Sequence, residues 1–329
     1  FINEGKNILI TFIVAKAVIN GELSLGAMLA IQYIIGQLTS PIEQMLIFAQ
    51  QFQDAKIAME RLNEVRVMED EEKVGKEYHN YLPDDGSLKL NNITYSYPGA
   101  GNDPILTNVS INIPEGKTTA IVGMSGSGKT TILKLLLRYY ELERGEIRVG
   151  NMPLDQVGYK FWRSMCGTVM QEGFIFSDSI AKNIAVGEEY PDIAKINHAV
   201  NIANIRDFIN ELPLGLNTKI GAEGNGISQG QKQRILIARA VYKNPKYIFF
   251  DEATNALDSK NENIIMSNLQ QFFSSRTVVI VAHRLSTVKN ADNIIVMDKG
   301  IVIEQGTHAE LIDFQGEYYQ LVANQLALA

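Results

Sequence analysis

The stretch "KTTAIVGMSGSGKTTILKLLLRYY" (117–140) constrains this chain more than any other. Residues 117–123 are a short run rich in β-branched and apolar residues, the pattern of a strand. "GMSGSGKT" (123–130) follows at once, and "TILKLLLRYY" (131–140) continues as a helix. Strand, glycine loop and helix in that order is the context in which such a loop binds phosphate. Gly123, Gly126 and Gly128 let backbone amides fold around phosphate oxygens with no β-carbon in the way. Lys129 places a positive charge between the β- and γ-phosphates, and Thr130 can offer a hydroxyl to Mg2+. A Gly/Ser turn with a surface lysine would need neither the strand before it nor the helix after it.

"KYIFFDEATNALD" (246–258) supplies a second half. "YIFF" reads as a buried parallel strand. Asp251 emerges at its C-terminal end, where open α/β sheets hold their ligands, and can hold Mg2+ through water. Glu252, beside it, can orient and deprotonate a water that attacks the γ-phosphate. "RTVVIVAHR" (276–284) is another apolar strand, ending at His283, which lies at the same sheet edge and faces the γ-phosphate. "GTVMQEG" (167–173) repeats the theme with Gln171, a neutral amide able to bind Mg2+ and water.

A second helix start raises a different question. "ISQGQKQRILIARA" (227–240) begins with small polar residues and continues as an apolar helix. Ser228 is a good N-cap, and Gly230 adds no side chain just inside the start. The amides of such a start attract an anion, yet the phosphate loop lies far upstream.

The N-terminal part has another character. Leu23 to Ile42 contains no charged residue and is long enough to cross a hydrocarbon core. A buried helix of a soluble bundle is the alternative reading of this window. Beyond Pro41 the pattern grows steadily more polar, as a helix would on leaving a bilayer. "NGELSLG" (20–26) is a turn between it and the apolar "ILITFIVAKAVI" (8–19). "MEDEEKVGKEYHNYLPDDG" (68–86) is charged, without apolar period, and reads as a solvated linker. The expected organisation is the end of a membrane domain over 1–66, a linker over 67–86 and a globular domain over 87–329. The chain opens in an apolar stretch without an initiator Met, which reads as a piece of something longer.

Net charge is -7, which argues against a nucleic-acid surface. Cys166 is the single cysteine, so no intrachain disulfide forms and a reducing, cytosol-facing setting is expected. His79, His198, His283 and His308 are scattered without metal-ligand spacing.

Taken in order, these motifs resemble the ATP-binding-cassette (ABC) family, exporter type. The resemblance runs over essentially all of 87–325: phosphate loop, Gln171, the signature "ISQGQ" (227–231), Asp251–Glu252, "NALD" (255–258) and His283. It implies an α/β P-loop ATPase fold, a RecA-like core with an antiparallel β subdomain and a helical subdomain, preceded by transmembrane helices. The N-terminal segment resembles the end of one membrane helix and the whole of the last. Family members work as head-to-tail ATPase pairs, and this answers the question of the second helix start. By that carry-over Ser228, Gly230 and Gln231 cap the ATP held by the partner's P-loop. Gly123, Ser125, Gly126, Ser127, Gly128, Lys129, Thr130 and Thr131 hold the chain's own ATP, and Asp258 couples the two sites. Thr130, Gln171 and Asp251 are the implied Mg2+ set; Glu252, His283 and Gln171 the implied catalytic set. Tyr97, directly before Pro98, matches the adenine-stacking position, with Tyr95 as the alternative. Glu223 matches a loop that meets the membrane domain in exporters, and residues 151–165 would lead into the helical subdomain. The sequence departs from the family at Gln229, where glycine is commoner, and at Asn255, where serine is common.

The function implied is ATP hydrolysis at a homodimer seam driving export across the cell (inner or plasma) membrane. The protein would be multi-pass with its ATPase in the cytoplasm. Bacterial peptide and bacteriocin exporters are the favoured subgroup; lipid and drug export stay open. A soluble repair or translation ATPase, and a non-catalytic half of a heterodimer, are the rival readings. The charge and the apolar window oppose the first, and intact Glu252, Ser228 and His283 oppose the second.

Overall fold

The computed structural model describes residues 2–68, 70–73, 75–99, 101, 103–222, 224, 226–282 and 285–328. Two compact units divide the chain, Phe1–Lys73 and Val74–Ala329.

The first unit holds helices α1 (Ile2–Ile19) and α2 (Leu25–Val67). Ser24 caps α2, its Oγ accepting from the Ala27 amide at 3.1 Å. The 43 residues of α2 run to about 65 Å at ~1.5 Å per residue, far longer than a hydrocarbon core of ~30 Å. Pro41 lies inside α2 without ending it. No residue of α2 is buried, and Leu29, Ile34, Leu38 and Ile42 stand exposed. Apolar side chains exposed over such a length call for lipid or protein around them. Among the described residues α2 is the one helix long and apolar enough to cross a membrane, with a mean hydropathy of 1.3 over its best window.

The second unit is layered around a six-stranded sheet. Its strands are β1 (Leu88–Tyr95), β2 (Leu106–Ile113), β3 (Thr118–Gly123), β4 (Arg144–Val149), β5 (Met152–Pro153), β6 (Cys166–Val169), β7 (Tyr247–Asp251), β8 (Thr277–Val281), β9 (Asn293–Asp298) and β10 (Ile301–Gly306). Its helices are α3 (Lys129–Leu136), α4 (Tyr159–Met165), α5 (Ile180–Ile184), α6 (Ile193–Ile202), α7 (Arg206–Glu211), α8 (Gln229–Tyr242), α9 (Ser259–Phe273), α10 (Leu285–Val288), α11 (His308–Phe314) and α12 (Glu317–Leu328). The large sheet has the order β10-β9-β3-β8-β7-β6, parallel except for the antiparallel edge strand β10. A second sheet, β2-β1-β4-β5, is antiparallel throughout.

Strand periodicity divides the core in two. Ala120, Ile248, Phe250 and Ile280 face one core with Ile235 of α8 and Leu269 of α9. Their neighbours Ile121, Phe249, Val279 and Val281 face the other, with Ile132 of α3 and Leu90 of β1. Burial on both faces explains why these strands read as continuous apolar runs. Because the strands are parallel, the loops after β3, β7 and β8 leave from one edge. The register ties them in a row, Ile121 opposite Val281 and Val281 opposite Asp251.

Two details differ from the sequence reading. The helix expected to run to Tyr140 ends at Leu136, because Arg138 turns left-handed at φ 56°. Trp162 Nε1 donates to the Leu136 carbonyl at 2.8 Å and Arg163 Nη2 to that of Arg138 at 2.8 Å. These donors satisfy carbonyls that a longer helix would have used itself. Part of the charged segment 68–86 is bonded rather than solvated. His79 pairs with Val157, the Gly86 amide donates to Glu115 at 2.8 Å, and buried Tyr247 donates its hydroxyl to the Gly86 carbonyl at 3.0 Å. Backbone pairing of this kind leaves no mark in side-chain composition.

Candidate nucleotide site

The glycine loop is shaped by what lies against it. At Gly123 a β-carbon would fall 2.0 Å from the carbonyl oxygen of Met297 in β9, and φ is 148°. A β-carbon at Gly128 would fall 2.6 Å from Leu106 Cδ2, at a φ of 96°. Only glycine fits either place, and the loop is thereby drawn over the N-terminus of α3. Ser125 and Gly126 are exposed at its rim, whereas Ser127, Gly128 and Lys129 are buried. Lys129 Nζ folds back to donate to the carbonyls of Gly123 at 3.0 Å and Met124 at 2.8 Å. Burial lowers the pKa of this ammonium, while the negative charges of Glu252 and Asp251 act against the fall. The amides opening α3, its dipole and Lys129 together make a cradle for an anion. Trp162 and Arg163 complete the other end of the same helix.

Asp251 closes β7 at 1% exposure. Its Oδ1 accepts from the Thr130 hydroxyl at 3.1 Å, and its Oδ2, buried, has no hydrogen-bond partner. Burial first, and the charge of Glu252 second, hold the Asp251 carboxyl above its ordinary range. The Ser127 hydroxyl is likewise buried and unpartnered. Orphaned oxygens cost free energy unless something occupies the site beside them. A hydroxyl next to an unpaired carboxylate oxygen suits a hard divalent cation that keeps its water and takes phosphate oxygens as further ligands. Among the described residues no cluster of three or more His, Cys, Asp or Glu could hold a metal. Thr130 and Asp251 supply two oxygens, and a cation bound there would draw the rest of its shell from water, a side-chain amide or a ligand.

Glu252 follows in a turn, at φ 52°. Its amide donates to the Val281 carbonyl at 3.0 Å, which fixes the turn on the neighbouring strand. Asn255 Nδ2 donates to Glu252 Oε2 at 2.6 Å. Gln171 lies exposed just past β6, on the same carboxyl edge of the sheet. His283, expected after β8, and Glu223 lie outside the described residues.

Tyr97 sits at the side of α3, its hydroxyl 3.1 Å from Thr131 Oγ1. Its ring meets those of Tyr95 at 5.3 Å and Tyr140 at 5.2 Å. Tyr95 is 2% exposed and Tyr97 only partly buried, which leaves Tyr97 the more accessible of the two.

Ser228 and Gln231 form a capping box at the start of α8. The Ser228 amide donates to Gln231 Oε1 at 2.8 Å and the Gln231 amide to Ser228 Oγ at 3.2 Å. Both side chains serve their own helix first, and residues 228 and 229 are exposed. Asp258 caps α9, accepting from the Asn261 amide at 3.0 Å. Sequence reasoning gave no role to Trp162 or to Gln233, whose side chain bonds the Glu252 carbonyl and the Ala256 amide, and named Asn255 without its tie to Glu252. Only Asn255 carried a signal, as a departure from serine; the other two act through tertiary contacts.

Residues 106–255 match the family model described as ABC transporter. The alpha-hemolysin translocation ATP-binding protein HlyB of Escherichia coli O157:H7 is 42% identical over 306 residues, 93% of this chain and 43% of that protein. The leukotoxin translocation ATP-binding protein LktB of Mannheimia glucosida is 42% identical over 316 residues, 95% of this chain and 44% of that protein. The chain thus spans less than half the length of these curated relatives. A solved structure of a bacterial Atm1-family ABC exporter with ATP bound superposes with a TM-score of 0.76 at 31% identity, over 98% of this chain and 58% of that one.

Proposed function

This chain carries an ATP-binding domain of the ABC transporter family, and from that premise we propose that it hydrolyses ATP at a head-to-tail pair of such domains to drive export through a membrane. The observation that carries the reading is the Thr130–Asp251 pair with its orphaned Oδ2, set beside the glycine cradle. Cradle amides and Lys129 hold the phosphates and stabilise charge that develops on them. Thr130 and Asp251 would hold Mg2+ with the nucleotide, Gln171 is assigned to the same ion by resemblance, and the cation would neutralise phosphate charge. Glu252 orients the attacking water and accepts its proton as the bond to the γ-phosphate breaks. His283 is assigned to the γ-phosphate by resemblance alone. Tyr97 stacks on the adenine.

The exposed start of α8 faces a second copy, where its amides, Ser228 and Gly230 cap the partner's ATP. ATP then joins the two copies and hydrolysis releases them. Only differential affinity for the joined state can move the attached helices. Exposed apolar α2 supports a membrane span; a multi-pass cell-membrane protein with the ATPase on the cytoplasmic side is what the resemblance implies. The names of the toxin-translocating relatives favour a polypeptide as the exported substrate. The test is phosphate release from ATP by the full-length protein in lipid, with Mg2+ and with Mg2+ chelated. Mg2+-dependent hydrolysis is expected; binding of ATP with no hydrolysis would overturn the reading.

A further inference from the structure

The turn that carries Glu252 is fastened to the helix that begins after Ser228. Gln233, in the second turn of α8, is only 9% exposed. Its Nε2 donates to the Glu252 carbonyl and its Oε1 accepts from the Ala256 amide, both at 3.0 Å. Both partners are backbone groups, so one orientation of the amide satisfies them and the flipped one satisfies neither. A turn earlier, a β-carbon at Gly230 would fall 3.2 Å from the Ala256 carbonyl oxygen. The first turn of α8 therefore lies against the same segment. Arg234 adds a second tie. It donates to the Asn204 carbonyl at 2.8 Å, Asn204 Nδ2 donates to Asn261 at 2.9 Å, and Asn261 Nδ2 donates to Asp258 Oδ2 at 2.6 Å.

Inside the turn, Glu252 is held at its amide by Val281 and at its carboxylate by Asn255. Its φ of 52° is one that a non-glycine residue keeps only where its surroundings hold it. Gln233 supplies the hold at the carbonyl.

We propose that Gln233 is a positioning residue that joins the Glu252–Ala256 turn and the start of α8 into one piece, and thereby couples the two nucleotide sites. The proposal rests on the head-to-tail reading, in which Glu252 serves the chain's own ATP and Ser228 the partner's. With the Glu252 carbonyl tied to α8 by this buried amide, engagement of the partner's ATP by α8 also sets the carboxylate at the chain's own ATP. Coupling of this kind needs a physical link between sites, and Gln233 is that link.

The test is MgATP titration of hydrolysis by the full-length protein in lipid. Gln233→Met keeps the length of the side chain and removes both hydrogen bonds. Its kcat should fall about tenfold or more, its half-saturating ATP should stay within about twofold, and its Hill coefficient should fall to near one. Gln233→Glu keeps the acceptor for Ala256 but sets a carboxylate oxygen against the Glu252 carbonyl, and should lose kcat and cooperativity at least as far. Tyr242→Phe, at the far end of α8, removes a hydroxyl bonded to Glu188 and the Asp192 amide. It should lose thermal stability and keep the wild-type Hill coefficient. Wild-type kcat and cooperativity in both Gln233 variants would overturn the proposal alone. So would an equal loss of cooperativity in Tyr242→Phe at matched stability, or non-cooperative hydrolysis by the wild type. Absence of any hydrolysis by a folded wild type would remove the underlying reading as well.

Discussion

Thr130 and Asp251 are 121 residues apart in sequence, and the hydroxyl of the first donates to the carboxylate of the second at 3.1 Å. The pair brings the end of the glycine loop onto the end of β7. One carboxylate oxygen is satisfied and the other, though buried, is not. In the nucleotide-free domain this is a destabilising arrangement, kept for what binds beside it.

Asp251→Asn should therefore raise nucleotide-free stability while ending hydrolysis. It removes a buried charge whose carboxyl burial already holds above the ordinary range. The expected gain is on the order of 1 kcal/mol, read as a rise in the thermal midpoint with Mg2+ chelated. A fall in that midpoint would show that the carboxylate is compensated within the domain.

Glu252→Gln keeps the size of the side chain and loses the carboxylate proposed as the base. ATP should still bind, the paired domains should become long-lived on size-exclusion chromatography, and turnover should fall by about a hundredfold or more. Normal hydrolysis in this variant would take Glu252 out of the chemistry.

Ser228→Arg places a large cation at the exposed start of α8, the surface proposed to meet the partner's nucleotide. Hydrolysis should be lost, while ATP still quenches or protects the chain's own P-loop. Loss of the cap costs about 1 kcal/mol by itself. Ser228→Asn keeps a capping side chain and so separates helix stability from the cross-subunit role.

Cys166 should be inert in the folded domain. Burial pushes its thiol far above the usual range, and Sγ donates to the Trp162 carbonyl at 3.2 Å. As the chain's single cysteine, it gives a clean readout. Labelling by a maleimide at neutral pH should track global unfolding and slow further with MgATP. Rapid labelling of the native chain would contradict the burial.

Much of the fold was legible because its signals are local. The loop 123–130 announces itself by glycines that no other residue could replace at Gly123 and Gly128. Apolar runs at 120–122 and 247–250 announced strands, and the structure covers both on both faces. Ser228 was readable as an N-cap because capping depends on residues three apart. The end of α3 at Leu136 was not readable, since "LLLRYY" is a good helix pattern and the stop comes from Trp162 and Arg163. The strap at His79 was equally silent, because it is made of backbone groups.

By itself, then, the sequence determined the phosphate loop, the apolar strands, the start of α8 and an uncharged apolar window over Leu23–Ile42. Each follows from short-range backbone sterics or from a periodic pattern within one element. Tertiary structure alone decided that Thr130 meets Asp251, that Trp162 ends the helix of the phosphate loop, and that Gln233 holds the turn of Glu252. Those contacts join elements far apart in the chain. Their hydrogen bonds depend on how parallel strands are ordered and registered in the sheet, which no local pattern specifies.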